Sequence, residues 1–286
     1  MIIHVLADNQ KIANRTDLKA EKGLSYHVST GACAILFDVG GGQTFLQNAR
    51  QLDLDIARVD VAVLSHRHHD HGNGLPVFLR ENQHARVCLR ACPTESYFFK
   101  YPIFKYTALQ FEVGLDVTPL EDFKDRLWLI RQTTEICPNV FCVVNISEKY
   151  PRPAGNRYLF AGEKHSLRPD PFEHELFMII QEPDGLVIFT GCAHSGVLNM
   201  IETAVEMFPG VRIKAVVGGF HLMGLPLFNT LGGSEADIRK IGEQLSAYPI
   251  DRLYTGHCTG MKAFRIMKQV LGDRIEHIPT GSCLRI

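Results

Sequence analysis

The chain is expected to fold as an α/β layered sandwich, on three observations. Apolar runs arranged as strand pairs occupy its first half, and strand-like and helix-like segments alternate in its second. Four histidines, His66, His194, His221 and His257, each stand close behind such an apolar run with glycine nearby. With 286 residues, 45% of them hydrophobic, the chain can also bury a sizeable core.

Taken in order, Ile2 to Ala7 reads as the first strand, ended by a turn at Asp8-Asn9. The opening MIIHVLADN has no basic region and no cleavage site, so it is read as structure rather than as a leader. Residues 11–24 are polar and read as a loop. Tyr26 to Ser29 and Cys33 to Phe37 form a strand pair turned at Thr30-Gly31, and the second ends in Asp38-Val39 and three glycines. Phe45, Ala49 and Leu52 have helical spacing, and Val61 to Leu64 reads as a short buried strand. A helix from Leu75 to Glu81 has Pro76 in its first turn, and Arg86 to Arg90 is a further strand.

Residues 93–172 are patterned more loosely and mix aromatics with basic residues. They read either as a satellite subdomain packed on itself or as a substrate-covering insertion in a single domain of residues 1–286. In the second reading Lys100, Lys105, Arg152, Arg157 and Arg168 could meet phosphate in the cleft. Regular structure returns with a hairpin around Pro183-Asp184-Gly185. A helix from Ser195 to Phe208, a strand from Val211 to Val217 and a helix after Ser234 follow. A short strand at Leu253-Tyr254, a helix from Met261 to Leu271 and a strand from Arg274 to Ile278 close the chain.

The densest chemistry lies in Ser65 to Pro76, SHRHHDHGNGLP. His66, His68, Asp70 and His71 place four metal-ligating side chains within six residues. One ion cannot easily take all four from so short a loop. His66 and His68 alternate to one side, which leaves Asp70 and His71 for a neighbouring position and points to two metals side by side. Histidines at the carboxyl ends of several strands lie where open α/β sheets bind their ligands.

The segments GLSYHVSTG, SHRHHDHGNGLP, TGCAHSG, GGFHL and HCTG resemble the metallo-β-lactamase superfamily. Within it they are similar to the branch of dihydropterin–ribofuranosylaminobenzene 5'-phosphate synthase-like proteins. The resemblance implies a four-layer αβ/βα sandwich and two divalent ions, with zinc favoured by the histidine count and iron or manganese as alternatives. It matches His257 to the late His that completes a second site with Asp70 and His71; the first site, with His66 and His68, needs a third ligand, for which His194 is chosen because it follows a strand end as the other histidines do. His174 competes with His194, because it precedes a strand as some family ligands do. Asp38 matches an Asp that supports the metal loop, although a plain turn Asp would read the same. Cys192 falls where many relatives place a bridging Asp; it could bind metal or only pack. His221 matches an additional active-site His, which would donate a proton to a leaving oxygen or else orient a ligand.

The expected activity is therefore a metal-dependent hydrolase or transferase acting on a phosphorylated or pyrophosphorylated small molecule. In the branch's named reaction a ribofuranosylaminobenzene phosphate displaces pyrophosphate from a dihydropterin. Asp70 would hold metal and orient the nucleophile, and helix starts at Ser195 and Cys258 would favour anions. The alternatives are another hydrolase (phosphodiesterase, nuclease or thioesterase) and a metal-stabilised binding module without catalysis. A formal net charge of −1 argues against a broad nucleic-acid surface, and no apolar run is long enough for a membrane span. Eight cysteines without a Cys-x-x-Cys pair suggest no disulfide framework and a reducing cytoplasm.

Overall fold

A computed structural model describes residues 1–104, 107–225 and 230–286. The elements run β1 (Ile2–Ala7), β2 (Ser25–Ser29), β3 (Ala34–Phe37), α1 (Thr44–Gln51), β4 (Val61–Val63), α2 (His69–Gly72), α3 (Leu75–Glu81) and β5 (Arg86–Arg90). There follow β6 (Tyr97–Phe104), β7 (Thr107–Glu112), β8 (Leu127–Ile130), β9 (Thr134–Cys137), β10 (Val140–Val143), β11 (Leu159–Glu163) and β12 (Ser166–Pro169). The last part holds β13 (Phe177–Glu182), β14 (Gly185–Phe189), α4 (Val197–Met207), β15 (Ile213–Gly218) and α5 (Glu235–Ser246). It ends with β16 (Ile250–Thr255), α6 (Met261–Leu271), β17 (Ile275–His277) and β18 (Cys283–Arg285).

Alternation along the strands builds the layers. In β3, Ile35 and Phe37 point into the core between two sheets, while Leu36 points outward beneath the first helices. The first sheet has the order β18-β1-β2-β3-β4-β5-β8, and the second β17-β16-β15-β14-β13-β10-β9. Tyr26, Phe37 and Val63 of the first sheet meet Met178, Phe189 and Val217 of the second. Phe45 and Phe78 bring α1 and α3 onto the outer face of the first sheet. Met200, Ile238 and Met267 bring α4, α5 and α6 onto the outer face of the second. The result is the four-layer αβ/βα sandwich. Ser234 caps α5 in a reciprocal box with Asp237, in line with the Ser cap expected there.

The neighbours β3, β4 and β5 are parallel, as are β14, β15, β16 and β17. Parallel strands send their carboxyl ends to a common edge. That edge carries the segments following β3, β4, β14, β15 and β16.

Residues 93–172 contribute strands to three sheets. Strand β8 pairs with β5 in the first sheet, and β9 and β10 extend the second. A separate four-stranded sheet, β12-β11-β6-β7, is built from the rest. Strands as short as Leu127–Ile130 or Thr134–Cys137 carry too little periodicity to be read alone, and their pairing depends on distant residues. The same holds for β18, unread in the sequence, which pairs with β1 and joins the two ends of the chain. Helices α4 and α6 begin at Val197 and Met261, after glycines, so the starts expected at Ser195 and Cys258 are displaced.

The cysteines also depart from expectation at one place. Cys33 and Cys137 form a disulfide across 104 residues where the two large sheets meet, and the other six cysteines are free. Among the described residues no helix is long and apolar enough to cross a membrane.

His27 faces His4 across β1 and β2, and the Nδ1 atoms of both are buried without a partner. Burial, reinforced by His4, lowers the His27 pKa to about 4. The unfolded chain, with an ordinary imidazole near 6.5, then binds more protons than the folded one. Stability should be full above that value and fall as the pH drops from there toward 4. His27→Leu is expected to remove about 2 kcal/mol of this acid sensitivity, read as the difference between wild-type and variant urea denaturation at pH 4.5 and 7.

Candidate metal centre

The loop after β4 leaves the first sheet with His66 fully buried, and α2 follows at once, turning Asp70 and His71 back toward the same edge. The segment after β14 brings Cys192 and His194 from the second sheet. His221 follows β15 and His257 follows β16. His221 and His257 have positive φ of 46° and 47°, and Ala193 and Asp38 share that left-handed backbone at 56°. For non-glycine residues this is uncommon and costs strain that the surroundings must hold.

Two sets of donors result. The rings of His66, His68 and His194 lie 4.6, 4.8 and 4.9 Å apart, centroid to centroid. A donor atom from each lies within 4.8 Å of the other two, and the Nε2 of all three is buried without a hydrogen-bond partner. Buried polar atoms are seldom left unpaired, and three that converge fit a cation. Burial and the neighbouring imidazoles hold His66 and His194 well below the usual range. Burial, with His174, takes His68 down to about 3. All three are thus neutral, the form that binds metal.

Beside them, His71 Nε2 lies 3.1 Å from His257 Nε2, and Asp70 lies 3.6 Å from His257 and 4.0 Å from His71. Burial opposes a proton on His71, but Asp38 and Asp70 outweigh it and raise its pKa to about 9. A field that retains a proton there equally favours a metal cation. Burial also opposes the charge on Asp70, yet His71, His257 and His68 prevail and keep it below the usual carboxylate range.

Four of the imidazoles are oriented from behind. His71 Nδ1 donates to Asp38 (2.7 Å), and His66 Nδ1 meets the Ser65 hydroxyl (2.8 Å). His194 Nδ1 meets Asn156 Oδ1 (3.1 Å), and His257 Nδ1 meets Asn9 Oδ1 (3.0 Å). Such contacts fix the tautomer that leaves Nε2 for a metal. Asp38 also accepts from the Ser65 amide and hydroxyl, both at 2.7 Å, so one carboxylate steadies a histidine of each set. Gly191, at φ +62°, packs against Ser65 where a Cβ would collide with its hydroxyl.

His174 is placed differently. Its Nδ1 accepts from the Arg67 amide and its Nε2 meets Asp170, both at 3.1 Å. Both nitrogens are occupied, whereas His194 Nε2 is free. Neighbouring Glu175 accepts from the amides of His194 (2.6 Å) and Ser195 (2.7 Å) and so pins that turn.

A cleft of about 620 Å³ lies over the centre. His68, Asp70, Cys192, His194, His221 and His257 line it, with Phe99, Val113 and Leu159 on one wall and Met223, Met261 and Phe264 on another. Backbone bonds from His69 to Val113 (2.8 Å) and from Leu115 to Arg67 (2.9 Å) tie the small sheet to the metal loop. The expected basic groups are elsewhere: Lys100 stacks on Phe160, Arg157 lies over Tyr158, Arg152 pairs with Glu148 and Arg168 with Glu95. Lys105 lies outside the described residues. The small sheet instead gives apolar groups to the cleft, and its lysine is Lys22, from a loop that had carried no assignment.

A family model for the metallo-beta-lactamase superfamily matches residues 19–257. The chain belongs to that superfamily. Two proteins of Methanocaldococcus jannaschii are similar along nearly their whole length. One is named 7,8-dihydropterin-6-methyl-4-(beta-D-ribofuranosyl)-aminobenzene-5'-phosphate synthase and is 25% identical over 279 residues, covering 93% of this chain and 90% of that protein. The other, uncharacterized, is 23% identical over 278 residues, 97% of this chain and 98% of its own. Among solved structures, Tm1679, described as a metal-dependent hydrolase of the beta-lactamase superfamily, aligns with a TM-score of 0.80 at 29% identity. That alignment covers 100% of this chain and 99% of Tm1679.

Within this superfamily member, sequence reasoning left Ser65, Asn9, Asn156, Glu175 and Lys22 without a role. Asn9 alone carried a signal, since it follows the end of β1 as the histidines follow theirs. Asn156 and Glu175 act through residues remote in sequence, and Ser65 links its neighbour His66 to Asp38. Asp38→Asn should lower metal affinity about 10- to 100-fold, because the carboxylate accepts through both oxygens and the amide would set a donating NH2 group against the Ser65 amide or against the Ser65 hydroxyl and His71. Chelator competition on the folded variant measures this, and unchanged affinity would make the Asp38 contacts mere packing.

Proposed function

We propose that this protein is a binuclear metal-dependent enzyme acting on a phosphorylated or pyrophosphorylated small molecule. In this reading His66, His68 and His194 hold one ion and Asp70, His71 and His257 the other. The observation that carries it is the convergence of three unpartnered buried Nε2 atoms beside a second His–His–Asp set, at a cleft lined by His68, Asp70, His194 and His257. Two divalent ions, zinc foremost, supply positive charge for a phosphate or pyrophosphate leaving group.

The chain's own groups divide the remaining work. Asp70, facing the cleft, orients the attacking group through its carboxylate. An imidazole nitrogen of His221 gives a proton to the leaving oxygen; its ring lies 4.2 Å from that of His194, and its Nδ1 has no partner. Lys22 offers its ammonium to a further anionic group at the cleft mouth. The Phe99, Leu159 and Phe264 walls exclude water and accept a planar apolar ring. These features support a reaction of the kind in the methanogen relative's name, in which a phosphorylated aromatic is joined to a pterin. The hydrolase description of Tm1679 supports a second reading on the same site, with water as the attacking group.

Elemental analysis of freshly purified protein, coupled to a screen for phosphate and pyrophosphate release, tests the proposal. Two ions per chain and release from an activated pterin-type pyrophosphate are expected. Release that needs the second aromatic substrate identifies a transferase, and release without it a hydrolase. A chain that retains no metal overturns the reading. His221→Ala is expected to keep its metal while turnover falls about 100- to 10,000-fold. Both are measured on one preparation: lost metal would make His221 a ligand, and unchanged turnover would leave it a structural residue.

A further inference from the structure

The cleft carries a polar pair that the proposed mechanism leaves unused. Asp8 follows β1, His277 ends β17, and both line the cleft with Phe264 of α6. Asp8 Oδ1 and His277 Nε2 stand 4.0 Å apart, too far for a direct hydrogen bond. We propose that Asp8 and His277 form a subsite for the exocyclic amino group of a planar heteroaromatic ring, with the ring against Phe264. This rests on the reading of a pterin-type substrate above and goes beyond it in naming the residues that select such a ring and the wall it occupies.

The argument is geometric. A nitrogen about 2.9 Å from each of two acceptors can bridge acceptors up to roughly 5.8 Å apart. A separation of 4.0 Å therefore leaves room for one amino group, whose two N–H bonds meet one acceptor each. Asp8 is held in place for this: its Oδ1 accepts from the Gln10 amide (3.0 Å) and its Oδ2 from the His257 amide (2.6 Å). A carboxylate oxygen has two lone pairs, so Oδ1 keeps one for a ligand. Among the described residues neither ring nitrogen of His277 is hydrogen-bonded, and the Phe264 ring packs against it, 5.7 Å between centroids. Burial lowers the His277 pKa, so the imidazole is neutral and one of its nitrogens accepts.

Other acceptors at the cleft are committed. Asp70, the other carboxylate of the lining, belongs to the second donor set, and Asn9 Oδ1 is taken by His257 Nδ1. With the amino-bearing ring on the Phe264 wall, the Phe99 and Leu159 wall is left for the second aromatic substrate.

Equilibrium binding to the full, metal-loaded chain provides the test. The probes are 6-hydroxymethylpterin against 6-hydroxymethyllumazine, and guanosine against inosine; the second of each pair lacks the amino group. Wild type should prefer the amino-bearing member of the pterin pair about 10- to 100-fold. Because Asp8 also bonds the His257 amide, His277 is the residue to vary. His277→Phe keeps an aromatic ring beside Phe264 and should retain its metal while that preference falls about 5-fold. A preference unchanged in His277→Phe places the amino group elsewhere and overturns the proposal. Pterin bound no more tightly than its lumazine overturns the subsite and leaves the pterin reading standing. Guanosine preferred over inosine while pterin is not bound does the reverse, and no binding of any of the four overturns the proposal. Should His277→Phe not fold, a wild-type crystal soaked in 6-hydroxymethylpterin decides: its amino group is expected within hydrogen-bond distance of Asp8 and His277, and a ring placed elsewhere overturns the assignment.

Discussion

The buried carboxylate of Asp38 is the contact on which the rest of the centre depends. It accepts hydrogen bonds from the Ser65 amide, the Ser65 hydroxyl and His71 Nδ1, each at 2.7 Å. Through Ser65 it steadies His66 of one donor set, and through His71 it steadies the other. In a low-dielectric interior such a network is strong when complete and costly when broken. Asp38 itself sits at φ 56°, and strain of that kind persists only where neighbouring packing determines the backbone. The parallel pairing of β3 with β4 supplies that packing, because it sets the ends of the two strands side by side.

The centre is a product of two sheets meeting. The first contributes the tight loop with His66, His68, Asp70 and His71; the second contributes Cys192, His194, His221 and His257 one strand end at a time. Neither sheet alone holds a complete donor set. The interlayer core around Phe37 and Phe189 therefore has a functional consequence, since it sets the distance between the two halves of the site. The small sheet forms part of the cleft wall and is tied directly to the loop carrying His66 to His71, so the position of that loop and the shape of the cleft are mechanically linked.

The cleft has apolar groups in its walls, and imidazoles and the Asp70 carboxylate at its floor. On the proposed function, the walls would take a planar ring and the floor a phosphate. The four described basic residues once expected to meet phosphate are instead spent on the small sheet and its surroundings. Lys22, two residues before the Leu24 amide that bonds the Asp70 carbonyl, lies closer to the chemistry than any of them would suggest.

The sequence by itself determined the fold class, most helices and strands, and the cluster of His66, His68, Asp70 and His71, because those signals are local. Periodicity shows in a run such as Phe45, Ala49 and Leu52, and ligand density shows in six residues from His66 to His71. Tertiary structure decided what depends on distant partners. His174 and His194 read alike in one dimension, and only the Arg67 amide and Asp170, folded against His174, distinguish them. Asn9 and Asn156 became orienting groups through contacts with residues distant in sequence, and Ser65 through its bond to Asp38. The loose segment 93–172 split among three sheets for the same reason: four-residue strands carry little pattern of their own, and their place is set by the edges that remain unpaired until the chain has folded.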